Sequence, residues 1–146
     1  MGMNSKNRFV PDAAFCLRDA DAAAISADLA IKAGELKTPL GAVWNAEVAD
    51  GDVAIKIKAS DMDTTTADET YAVSVITSES ADMSAPVVHE TKTLVAGWAN
   101  ELLVDQHALA YRAPSHKYWG VQIDVGGTTP SVKAEIYVLP NSGKAV

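Results

Sequence analysis

The side chains able to do chemistry are few and widely separated. The three histidines, His89, His107 and His116, form no close-spaced pair. Zinc sites usually take two ligands from one short segment, so the spacing disfavours a shared metal. His89 is expected on the face of Val87 and Thr91, as a hydrogen-bonded structural histidine. Cys16 is the single cysteine, so an intrachain disulfide and a multi-cysteine metal site are both excluded. It follows Ala13, Ala14 and Phe15, an apolar setting that predicts a buried, unreactive thiol. Asp61, Asp63 and Thr65 have the spacing of the first three oxygen ligands of a Ca²⁺ loop. Thr66 then stands where that loop needs glycine and Ala72 where it needs glutamate, so a solvated turn is expected. The chain has no G-x-S-x-G, S-x-x-K or G-x-G-x-x-G, and Gly143-Lys144 lacks the upstream glycine of a phosphate loop. The expectation is a protein without catalytic residues, cofactor or metal.

The aromatic residues raise another chemistry. Trp44, Trp98 and Trp119, with Tyr111, Tyr118 and Tyr137, could stack on sugars. Against that, Trp119 shares a period-two face with Val121, Ile123 and Val125 and reads as core. Tyr118 and Tyr137 fall on the opposite face and are expected at a partner interface, where tyrosine is enriched.

Strands must position these residues. The last stretch is the clearest: Trp119, Val121, Ile123 and Val125 alternate with polar positions, then Gly126-Gly127-Thr128-Thr129-Pro130 intervenes. Val132, Ala134, Ile136 and Val138 alternate after it. That pattern predicts a β-hairpin over residues 117–139. Val53, Ile55 and Ile57 alternate with Lys56 and Lys58, and Tyr71, Val73 and Val75 oppose Ser74, giving two more strands. Residues 43–48 and 87–95 read as strands, and 100–111 as two short strands around Asp105-Gln106-His107. Residues 13–33 are rich in alanine, yet Ile25, Ala27, Leu29 and Ile31 alternate with polar residues. Two strands with a turn at Asp19-Ala20-Asp21 are preferred there over a helix. Loops are expected over 34–41 and 60–70. Eight or nine short strands without crossover helices predict an all-β fold, an antiparallel β-sandwich of jelly-roll type. Residues 1–11 read as a flexible arm, 12–140 as one β-sandwich domain and 141–146 as a tail.

Composition narrows the function classes. The 146 residues carry 48% hydrophobic and 21% charged side chains with a net charge of −7, as an ordinary globular protein does. Basic side chains are not clustered, which argues against nucleic acid and against an anionic membrane surface as partner. No apolar run approaches a membrane span, and the first residues lack the apolar core of a secretory signal. A soluble product made in a cytoplasm is expected.

The stretch Tyr118-Trp119-Gly120-Val121-Gln122-Ile123-Asp124-Val125-Gly126-Gly127-Thr128-Thr129-Pro130, continuing to Ser131-Val132-Lys133-Ala134-Glu135-Ile136-Tyr137-Val138, resembles the last strand pair of tailed-bacteriophage capsid cement (decoration) proteins. Leu17-Arg18-Asp19-Ala20-Asp21 with the alanine-rich strand is similar to that family's opening. The segments from Ala59 to Asp63 and from Asp68 to Val75 resemble its central strand–loop–strand. The likeness spans most of residues 12–139 and is sharpest in the last third. It implies a jelly-roll virion protein on the outer capsid surface that docks on the major capsid protein and cements neighbouring subunits. It also implies a homo-oligomer, dimer or trimer. Lys6, Arg8 and Phe9 of the arm could order on a capsid groove, and an edge strand could extend a neighbour's sheet. The alternative is a ligand- or carbohydrate-binding β-sandwich module, for example from a phage tail or fibre.

Overall fold

The computed structural model describes residues 16–36 and 52–140. Lys6, Arg8, Phe9, Trp44, the expected arm, the expected strand at 43–48 and the tail all lie outside the described residues. Among the described residues there are eight strands: β1 (Cys16–Arg18), β2 (Leu29–Glu35), β3 (Asp52–Ser60), β4 (Thr70–Ser78), β5 (Val87–Thr93), β6 (Gly97–Asp105), β7 (Tyr118–Gly126) and β8 (Lys133–Pro140). One helix, α1 (Gln106–Arg112), follows β6. The alanine-rich stretch thus contributes the two strands β1 and β2 where it is described, and the Ala22 N–H donates to the Asp19 carbonyl at the expected turn between them.

The strands form two antiparallel four-stranded sheets, ordered β1-β8-β3-β6 and β2-β7-β4-β5. This interleaved order is that of a jelly roll. The sheets pack face to face through one apolar core. Ile55, Ile57, Leu102, Val104, Ala134 and Ile136 come from the first sheet, and Tyr71, Val73, Val75, Trp119, Val121 and Ile123 from the second.

The expected hairpin over residues 117–139 is not one. β7 and β8 lie in opposite sheets: β7 pairs with β2 and β4, and β8 with β1 and β3. The connection between them arches across the sandwich instead. It is held where Ile25 and Val132 exchange backbone hydrogen bonds and where the Tyr71 hydroxyl donates to the Ser131 carbonyl. A hairpin and an arch demand the same alternation, because in both the apolar face points to the core. The arch has a second consequence. Tyr118 and Tyr137 do not share a face; they lie on the outer faces of opposite sheets.

A second correction concerns residues 100–111. β6 runs unbroken to Asp105, and the second expected strand is α1. Asp105 caps the helix, its carboxylate accepting from the Ala108 N–H at 3.3 Å. Leu109, Ala110 and Ala113 are buried, a helical spacing, and the Ala113 N–H donates to the Leu109 carbonyl. The loop expected over 34–41 is also trimmed, since Gly34 and Glu35 still belong to β2.

Candidate functional site

One flank of the sandwich is built differently from the rest. Among the described residues β5 and β6 are the terminal strands of their respective sheets, and they lie beside each other on this flank, where the Lys92 ammonium reaches across to the Glu101 carbonyl. Every large hydrophobic side chain left exposed among the described residues belongs to this stretch of chain. Val87 and Val88 are on β5, Val95 is in the turn after it, Leu103 is on β6 and Tyr111 on α1. Leu103 is 60% and Tyr111 70% exposed. Leu102-Leu103-Val104 explains the first. In a strand three consecutive apolar residues cannot all face the core, so Leu102 and Val104 enter it and Leu103 points out.

Asn100 fixes the turn that joins the two edges. Its fully buried side chain accepts from the Val95 N–H at 2.7 Å, and its amide nitrogen donates to the carbonyls of Val95, Gly97 and Ile57. A register shift between β3 and β6 beside it turns Trp98 to the outer face of the first sheet. There the Trp98 ring lies 5.9 Å from Tyr137, with the Lys58 ammonium 6.0 Å from its centre. Trp98 and Tyr137 are thus already engaged with one another and tilted by 43°, a poor platform for a flat sugar ring.

Between β5, β6 and α1 opens a cavity of about 130 Å³ lined by Val75, His89, Glu90, Leu103, Leu109 and Arg112, among others. Behind it stands a polar cluster. The fully buried Thr77 hydroxyl lies 2.7 Å from His89 Nε2 and 2.7 Å from His116 Nδ1. With one proton to give, it donates to one neutral ring and accepts from the other. Burial lowers the His89 pKa below its ordinary value, and Arg112 and His116 add positive charge that lowers it further. The expectation of a hydrogen-bonded His89 holds, but its face differs. A β-bulge at His89 shifts the register between Val88 and Glu90, so His89 reaches inward to Thr77 while Thr91 bonds Ser74 on the outer face. Neither the bulge nor the meeting with His116 has a signal in the spacing.

The remaining expected residues are placed as follows. Tyr118 is half-buried on the outer face of the second sheet, with the Lys32 ammonium 5.4 Å from its ring centre. Tyr137 is only 6% exposed, and burial together with Cys16 and Glu135 pushes its hydroxyl up to about 12. That leaves Tyr137 little surface to offer a partner. Cys16, paired with Tyr137 across β1 and β8, is half-buried rather than buried. In the loop after β3, Asp63 accepts from the Thr65 N–H and hydroxyl, which lowers its pKa. Among the described residues no three His, Cys, Asp or Glu side chains converge as metal ligands. Asp68 meets Thr66 and both the hydroxyl and N–H of Thr128, bonds that hold its pKa at about 2 and clasp the loop after β3 to the arch.

Compared with known proteins, the chain matches no family model, no curated sequence and no solved structure.

Proposed function

We propose that the chain is a structural virion protein that binds the assembled phage capsid surface and cements neighbouring major-capsid subunits. The observation that carries this reading is the flank of β6 and α1, where Leu103 and Tyr111 are the most exposed large apolar side chains among the described residues. Large exposed apolar side chains beside an unpaired strand edge mark protein-binding surfaces. The sequence resemblance to cement proteins supports the same reading, as does the jelly-roll order of the strands. On this reading the chain acts by binding alone, needs no cofactor, and works on the outer capsid surface as a homo-oligomer. Lys6, Arg8, Phe9 and Tyr118 are further contacts to the shell.

Co-sedimentation with shells of the phage that encodes the chain, before and after expansion, tests the proposal. The chain should pellet with expanded shells, and Leu103→Glu combined with Tyr111→Glu should reduce pelleting about tenfold or more. Both side chains are exposed, so the double variant should keep the wild-type circular dichroism spectrum. A chain that pellets with neither shell state refutes the proposal. Binding to immobilised glycans in its place would favour the carbohydrate-module alternative.

A further inference from the structure

The edge of β5 is self-complementary, and we propose that two copies of the chain join there, β5 against β5, in an antiparallel pair centred on Thr91. The backbone supplies the first argument. The Leu94 N–H donates to the Tyr71 carbonyl of β4. In an antiparallel ladder the pairs that exchange hydrogen bonds alternate with pairs that do not. Lys92 opposite Val73 and Glu90 opposite Val75 therefore bond to β4, while Thr91 and Thr93 turn their N–H and C=O groups to the edge of β5 that no described strand pairs. Thr91 opposite its own copy can thus exchange two backbone hydrogen bonds.

The side chains supply the second argument. With Thr91 on the two-fold axis, Glu90 of each copy stands opposite Lys92 of the other, and both are exposed. These are non-hydrogen-bonded pairs, in which side chains approach most closely, so two opposite-charge contacts form by symmetry. The bulge at His89 limits the regular ladder to the residues that follow it.

Other registers fail on the same grounds. Centring on Glu90 or Lys92 sets like charges face to face. Centring on Thr93 sets Lys92 against Leu94, whose side chain is buried in its own core. Of these registers, the one centred on Thr91 sets opposite charges face to face. Symmetric pairing of one patch with itself is also the commonest route to a closed dimer. The pair would extend the second sheet across both copies.

Sedimentation equilibrium of the purified chain, without shells, tests this apart from capsid binding. The expected species has twice the 15.3 kDa chain mass and dissociates on dilution. Thr91→Pro removes an N–H that β4 does not use, a change tolerated on edge strands. It should give a folded monomer. Glu90→Lys alone and Lys92→Glu alone should each weaken association roughly tenfold or more, and the two together should restore it. A wild-type monomer at all concentrations overturns the proposal. So does a dimer that survives Thr91→Pro, or a charge-swapped double variant that stays monomeric.

Discussion

Thr77 is the residue on which the polar cluster turns. It is fully buried on the inner face of β4, and its hydroxyl is the hydrogen-bond partner of both His89 and His116. Thr77→Val keeps the shape and strips both rings of that partner, which should cost about 1–3 kcal/mol of stability in urea denaturation. The cluster also makes stability depend on pH. Burial, Arg112 and His116 depress the His89 pKa in the folded state, so the folded chain holds fewer protons than the unfolded one. The His89 contribution is thus fully present above its ordinary value of 6.5 and is lost as pH falls through the depressed folded value. Melting temperature should drop between pH 7.5 and 5, a window above most carboxylate titration. His89→Gln keeps a hydrogen-bonding group towards Thr77 without the titration, so its drop should be smaller. An equal drop in the two proteins would place the acid sensitivity elsewhere.

At the scale of elements, most strands were legible in the sequence because a half-buried strand must alternate. The inward faces of β3, β4, β7 and β8 all follow that period. Pairing was less legible, because alternation tells which face is buried and not which neighbour is bonded; the arch after β7 shows this. α1 was missed because Leu109-Ala110-Tyr111 is too short to separate a strand from one helical turn, and the cap at Asp105 settles it. Of the candidate surface, the Tyr118 and Tyr137 positions were read from a hairpin that does not exist. The flank that carries Leu103 depends on which strands end the sheets, a long-range outcome. Two glycines test the arch. Gly127 has φ +101, and a Cβ there would stand 2.6 Å from the Asp68 carbonyl oxygen. Gly97 has φ +93 with nothing within 4 Å. Gly97→Ala should therefore cost roughly 1–2 kcal/mol, from backbone strain alone. Gly127→Ala adds a backbone clash that breaks the clasp to the loop after β3, and should cost roughly 3–4 kcal/mol. Equal losses in urea denaturation would mean that the arch yields freely at Gly127.

For the whole molecule, the strand order decides how the chain comes apart. β1 pairs with β8 and β2 with β7, so the first strands described are closed by the last. Neither sheet consists of consecutive strands, and only β4 and β5 are neighbours both in sequence and in a sheet among the described residues. One core joins the sheets, so loss of either exposes the apolar face of the other. The sheets should consequently melt together. Far-ultraviolet circular dichroism reports the strands, while near-ultraviolet dichroism is sensitive to the packing of core aromatics such as Trp119, which is 3% exposed. The two urea transitions should coincide, as expected for a cooperative unit of this size. Refolding should be slow for the chain length, on the order of milliseconds to seconds, because strands distant in sequence must meet before any sheet is complete. Separate transitions would mean that one sheet persists without the other, and that the arch between β7 and β8 does not couple them.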